Sequence, residues 1–505
     1  MMHVFIIVIV GMAHAADRGY QLDLVNIDGL VGWRTTFIYL GALLCVLGAQ
    51  LLLTMQALRA LGTGGSDAVR AIARAERALP GAHLSIVVVH AAFTLCLGWP
   101  QTVAMLFGAR HVVFLEFAIM VVPALAAIVV TWVIHEPLLR RLRGSAMLAD
   151  LDAGELIQPP MPSRGASIMN QVRVQMLFIL LPVLLIILIS DLVNLWLGDT
   201  SLLAGVLTLV GAASVFFFAP LLARFTLTLE PVPAGPLRDR LVQVCTQHGV
   251  GVRELLLWKT GGAMMNAAVM GLVARFRYVL LTDALVNMLE TDEVEAVMAH
   301  EIGHARRRHI PWLVAAMLAI ITIPSVAFDL TFRAVDSRWQ IDQAMYQWIE
   351  VVAMVAIAVT AFVLFGWVSR RFERQADTFA VQHLSGMHRE QPKNGEGAAL
   401  VTDVAARTVI HALGSIGSSS GIRRKQRSWR HGSIKSRQEY LAGLVGQPLH
   451  RLAIDRVVGR IKLVSAILLL AMTAFAIYDS RAMQQQPAQD AQAPFSLHSQ
   501  SAARQ

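Results

Sequence analysis

The sequence predicts a mainly α-helical, polytopic membrane protein with about eight transmembrane helices and a polar, metal-binding domain containing a small antiparallel β-sheet. Three observations predict it. The 505 residues are 56% hydrophobic and only 15% charged, where soluble domains carry about 25% charged residues. Apolar runs long enough to span a bilayer recur along the chain. One polar stretch, "EAVMAHEIGHARRRHI" at 295–310, sets two histidines one helical turn apart with a glutamate beside the first.

The first sixteen residues have a short apolar core followed by Ala13 and Ala15 in an A-x-A pattern. They read as a signal peptide or as a short membrane helix, since no Lys or Arg precedes the core. Either reading starts residue 17 on the outside. A membrane region at 17–223 follows, with five spans at 36–58, 84–108, 112–134, 175–198 and 202–223. The pairs 84–108/112–134 and 175–198/202–223 read as helical hairpins with very short loops. Three more spans lie at 310–333, 349–368 and 461–479.

Basic residues set the orientation. The segments 59–83, 135–174, 224–309 and 369–460 hold 35 of the 43 Lys and Arg, so they are expected inside. The two short segments carry this expectation, because long soluble segments follow the rule less strictly. The net charge of +9 then marks membrane-proximal loops facing anionic lipid. No basic surface interleaved with aromatics suggests nucleic acid. Cys45, Cys96 and Cys245 are too few and too scattered for a disulfide framework or a cysteine zinc site.

Residues 224–460, interrupted by the spans 310–333 and 349–368, are expected to form the metal-binding domain. It opens with the linker "EPVPAGP" and an amphipathic helix at about 236–248. Three strand-like runs follow at 253–259, 266–272 and 277–285, rich in Val, Leu and Tyr. The next helix has Thr291 as its expected N-cap, acids in its first turn and arginines at its end. Residues 386–399 and 414–428 read as loops around one short helix. Beyond the last span, 480–505 reads as a disordered tail.

His300-Glu301-Ile302-Gly303-His304 is an H-E-x-x-H pattern. Residues four apart lie one above the other on a helix, so His300 and His304 can share one zinc ion. Glu301, about 100° further round, can reach a water beside the metal and act as its base. A third protein ligand is needed. His309 lies five residues past His304, about 140° off that face on a continuous helix, and reads instead as a helix-end cation. "SRRFERQADTFAV" at 369–381 offers Glu373 and Asp377 at i, i+4. Two readings stand: Glu373 binds the metal while Asp377 holds a ligand imidazole, or both are an ordinary exposed acidic pair among arginines.

"AHEIGHARRRH" and "SRRFERQAD", each abutting a span, together resemble the type I CAAX prenyl proteases and the HtpX heat-shock proteases. The resemblance covers about 230–460. It implies a gluzincin-type, membrane-embedded zinc metalloendopeptidase whose site faces the cytosol, with one Zn2+ held by His300, His304 and Glu373 and with Asp377 behind a ligand histidine. "NAAVMG" resembles the family's substrate-pairing strand, which implies that Asn266 and Ala267 bind an extended substrate. "RHGSIKSRQEYL" resembles its C-terminal His-x5-Arg element, which implies that His431 and Arg437 position the substrate or steady the oxyanion. One departure is Gly366, where the prenyl proteases have Asn.

The expected function is peptide hydrolysis in membrane-associated or misfolded proteins at the cytoplasmic face of a bacterial inner membrane. The alternatives are a sensor protease that cleaves a regulator and a non-catalytic scaffold that keeps a zinc site. Glu116, His90, Asp191 and Asn194 lie within or near spans. Interhelical hydrogen bonding is their favoured reading over a water-filled chamber.

Overall fold

A computed structural model of the chain describes Val4, residues 6–7, 32–63, 65–107, 113–152, 163–198, 202–262, 264–339, 342–386, 399–419, 428–450 and 452–485. The loops 108–112 and 199–201 of the two expected hairpins, most of 1–31, 387–398 and 420–427 of the expected loops 386–399 and 414–428, and 486–505 of the expected tail lie outside the described residues, while 414–419 and 480–485 are helical rather than loop and tail. Among the described residues, eight helices are long and apolar enough to cross a membrane; seven of the eight expected spans each fall on one of them, and 84–108 is divided between another and a short helix that follows it. The chain is an integral membrane protein. It divides into two compact units, one of residues 1–242 and 251–289, the other of 243–250 and 290–505.

The first unit contains α1 (Trp33–Thr63), α2 (Gly65–Leu95), α3 (Trp99–Phe107), α4 (Val113–Asp152), α5 (Arg164–Val172), α6 (Phe178–Leu197) and α7 (Leu202–Thr226). The expected span 84–108 is two helices. The chain breaks at Cys96–Gly98, where Gly98 takes φ +66°, and resumes as α3. The Trp99 indole then donates to the Met120 carbonyl at 3.0 Å, pinning α3 against α4. Tyr39, Ile86, Phe117, Met120 and Ile128 are fully buried at the centre of this bundle. Two of the intramembrane polar groups named above make interhelical bonds. Tyr39 and His90 share one at 2.8 Å, and Asp191 accepts the Phe114 N–H at 2.7 Å at the start of α4.

The same unit carries the sheet: β1 (Leu229–Pro231), β2 (Glu254–Trp258), β3 (Ala267–Met270) and β4 (Tyr278–Thr282). Its order is β1-β2-β4-β3. The expected all-antiparallel sheet is therefore corrected to a mixed one, since β2 and β4 run parallel while β1–β2 and β3–β4 are antiparallel. The chain passes from β2 to the outer edge as β3, then turns back to insert β4 between them. Gly271 makes that return possible: its φ is +104°, and a Cβ there would stand 2.3 Å from the Phe276 carbonyl oxygen. β4 is buried at every position. The linker "EPVPAGP" contributes β1, with Pro231 at its end, a position where a missing N–H is tolerated on an edge.

After β4, Thr282 caps the short helix α9 (Asp283–Met288). The Asp283 carboxylate accepts from the Thr260 N–H and hydroxyl and the Gly261 N–H. Burial raises its pKa, and these hydrogen bonds more than reverse the effect, leaving it lowered. Between β1 and β2 runs α8 (Pro236–Gln247), matching the expected helix.

The second unit contains α10 (Thr291–Arg306), α11 (His309–Trp339), α12 (Gln343–Leu384), α13 (Asp403–Ser419), α14 (Ile434–Ala442) and α15 (Ala453–Gln485). Glu290, rather than the expected Thr291, is the N-cap of α10. The Glu293 carboxylate accepts the Glu290 N–H at 3.1 Å, closing a capping box. α10 lies against α12 where Gly303 meets the Phe379 ring, and a Cβ on Gly303 would stand 3.1 Å from it. At the far end of α12, His383 donates to Glu295 at 2.8 Å and shares a hydrogen bond with His248 at 2.9 Å.

Candidate metal centre

His300 and His304 project from one face of α10, and their Nε2 atoms stand 3.2 Å apart. From α12, Glu373 places one carboxylate oxygen 3.7 Å from His300 Nε2 and the other 3.8 Å from His304 Nε2. A tetrahedral zinc with bonds of about 2.0–2.2 Å separates its ligand atoms by roughly 3.3–3.6 Å. The triad fits. Among the described residues, His300, His304 and Glu373 are the group of donors able to hold a metal ion.

The outer ring nitrogens support that fit. His300 Nδ1 donates to Asp377 at 3.0 Å. Asp377 is fully buried and gripped on its other side by Arg437, whose Nε and Nη2 donate at 2.8 and 2.5 Å. A neutral His300 with its proton on Nδ1 presents a lone pair at Nε2. Burial lowers the His300 pKa, but Asp377 outweighs it and the net shift is upward. Burial first, then the charge of His300, hold His304 well below the usual histidine value, so that ring stays neutral.

His309 corrects the sequence expectation. It is 2% exposed and packed within the site rather than a helix-end cation. Its Nδ1 lies 2.9 Å from His304 Nδ1, and its Nε2 lies 2.8 Å from Gln375 Oε1. The expected 140° offset assumed a continuous helix, but α10 ends at Arg306 and Arg308 takes φ +53°. That left-handed residue breaks the helix and re-aims the chain before His309. His309 thus opens α11 with its ring against His304, stacked on Phe372. Lys462 donates to the Arg307 carbonyl at 2.6 Å, a cation at the C-terminus of α10.

Two residues of the His-x5-Arg segment also reach the triad. His431 Nδ1 lies 3.0 Å from Glu373 Oε1, with the ring half exposed. Arg437 is committed bidentately to Asp377 and reaches Glu373 only at 3.7 Å. Burial lowers the Arg437 pKa, but Asp377, Glu373 and Glu301 more than offset it, so it stays charged.

The loop holding His431 is anchored by Trp429, which sequence reading missed. Its indole stacks on Phe362 and donates to the Phe362 carbonyl at 2.8 Å, while Arg370 donates to the Trp429 carbonyl at 2.7 Å. This accounts for Gly366: a Cβ there would lie 2.4 Å from the Trp429 indole nitrogen.

One unit therefore brings together His300, Glu301, His304, Glu373, Asp377, His431 and Arg437. Asn266 and Ala267 belong to the other unit. There the Asn266 N–H donates to Thr282 Oγ1 at 2.9 Å, and Ala267 opens β3, an edge strand.

Residues 258–394 match the model of Peptidase family M48. The chain is 28% identical over 171 residues to a CAAX prenyl protease 1 homolog of Arabidopsis thaliana, covering 32% of this chain and 39% of the relative. It is 32% identical over 117 residues to a Protease HtpX homolog of Thermoplasma acidophilum, covering 23% of this chain and 34% of the relative. The chain thus spans about two fifths or less of the length of these curated relatives. The crystal structure of S. mikatae Ste24p aligns over 80% of this chain and 98% of its own, with 13% identity and a TM-score of 0.46. The segment that holds His300, Glu301, His304, Glu373 and Asp377 is thus similar to Peptidase family M48.

Proposed function

We propose that this protein is a membrane-embedded zinc endopeptidase. The observation that carries the reading is the convergence of His300, His304 and Glu373 at metal-ligand spacing, with Glu301 next to His300 on α10. These three residues would hold one Zn2+, which when bound would supply a water of lowered pKa and polarise a peptide carbonyl. Glu301 takes the proton from the attacking water and returns it to the leaving amine. Asp377 orients His300, and Arg437 keeps Asp377 ionised and in place. His431 steadies Glu373 from the open side of the site, where it is free to turn toward a substrate carbonyl oxygen. Edge strand β3, opened by Asn266 and Ala267, can take an extended peptide as an added strand.

The substrates are membrane-associated or misfolded proteins, and the site faces the cytoplasm of a bacterial inner membrane. The basic segments 59–83 and 135–174 support that orientation. The test is cleavage of an unfolded membrane protein by the purified, detergent-solubilised chain, beside Glu301→Gln, with zinc measured on both. The expected outcome is one zinc on each and a loss of at least about a hundredfold in rate for Glu301→Gln. Equal cleavage by both would remove Glu301 from the mechanism. Absence of metal from the wild type would remove the site.

A further inference from the structure

We propose that His309 is a positioning residue that fixes the tautomer of the metal ligand His304 through a one-way hydrogen-bond chain ending at Asp455. The proposal rests on the metal-site reading above. It starts at a group that can only accept. The Asp455 carboxylate lies 2.6 Å from Gln375 Nε2, so the amide must donate there. That fixes the flip of the amide and turns Gln375 Oε1 toward His309 Nε2 at 2.8 Å. An amide oxygen can only accept, so His309 Nε2 carries the proton. His309 is 2% exposed and packed on Phe372, an environment that disfavours a charged ring. A neutral His309 with its proton on Nε2 has a bare Nδ1. That Nδ1 faces His304 Nδ1 at 2.9 Å, so His304 must be the donor there. The Nε2 lone pair of His304 is thereby left for the metal.

Each link comes from a different place in the chain. His309 starts α11, Gln375 lies on α12 between Glu373 and Asp377, and Asp455 lies in the first turn of α15. Arg307 lies 3.6 Å from Asp455 and balances its charge. Gln375 is 4% exposed, so its amide has no solvent to exchange partners with.

The test is zinc affinity of the full-length solubilised protein, measured by competition with a chromophoric chelator. The variants are His309→Phe, His309→Asn and Gln375→Leu. Phe keeps the ring and its stack on Phe372 but accepts no hydrogen bond. Asn loses the ring but sets an amide oxygen close to where Nδ1 stood. We expect His309→Phe to bind zinc about 10–100-fold more weakly, in the range for lost outer partners of metal ligands. His309→Asn should stay closer to wild type than Phe, and Gln375→Leu should weaken binding in the same direction as Phe. A purely packing role for His309 predicts the reverse order, with Phe near wild type and Asn weak, and that order overturns the proposal. Should His309→Phe not fold, Gln375→Leu against His309→Asn decides it, and wild-type affinity in Gln375→Leu refutes the chain. If the wild type binds no zinc, the metal-site reading fails and takes this proposal with it. If wild type and all three variants bind alike, only this proposal fails.

Discussion

His300 and His304 stand one turn apart on the same helix, yet they are backed by opposite chemistry. Behind His300 is a carboxylate at 3.0 Å, fully buried and clamped by a guanidinium. Behind His304 is a second imidazole at 2.9 Å, with an amide and only then a carboxylate beyond it. Both arrangements orient a ring, but only the first adds negative charge beside it. The contrast teaches how the site sets its charge. Glu301, Glu373 and Asp377 against Arg437 leave two net negative charges, which a divalent cation would neutralise. A carboxylate behind His304 as well would add another negative charge beside the ion.

Breaking the charged side should have the largest effect. Arg437→Met leaves Asp377 buried without its guanidinium, a change that costs about 3–5 kcal/mol where a buried pair is broken. Thermal unfolding should show a large drop, and an unchanged midpoint would mean that Asp377 does not depend on Arg437. Next comes Asp377→Asn, which keeps the size and a hydrogen-bond acceptor but removes the charge. Zinc affinity should fall about 10–100-fold, with a smaller loss of stability than in Arg437→Met. Equal zinc affinity would show that charge behind His300 is immaterial, erasing the contrast with His304. The smallest effect is expected on the neutral side, at the turn that delivers His309. Arg308→Gly relieves a left-handed residue and should stabilise the protein by less than about 1 kcal/mol. Zinc binding should be unchanged, since the turn is kept. A loss of affinity would mean that the Arg308 side chain, not its backbone, places His309.

Much of this site was legible in the sequence because helix geometry is local. Four-residue spacing alone aligns His300 with His304, and the same spacing puts Glu373 and Asp377 on one face of α12. The hydropathy of the spans is equally local, and among the described residues seven of the eight runs each fall on one long helix, while 84–108 is broken at Gly98. What was not legible depends on breaks and on distant partners. His309 was displaced from the site by assuming that α10 ran on through Arg308, and no propensity rule marks an arginine at φ +53°. Gln375 lies between two acids of a recognisable segment, but its role appears only when Asp455, 80 residues away, folds against it. Trp429 lies in a basic loop, and the clue to it was a glycine at position 366. The parallel pairing of β2 with β4 was hidden because β3, the intervening strand, goes to the edge.

The third residue of the candidate metal centre, Glu373, sits on a different kind of support from the first two. α12 is one 42-residue helix with no proline, about 63 Å long. Its apolar part and Glu373 are one unjointed rod, with the window apolar enough to span a bilayer lying on the same helix as the ligating carboxylate. Turning such a rod by about 20° swings a side-chain atom near its rim through about 2 Å, while metal–ligand distances tolerate about 0.2 Å. An ion held by His300, His304 and Glu373 would therefore act as a torsion lock, tying the twist of a lipid-embedded helix to the register of α10.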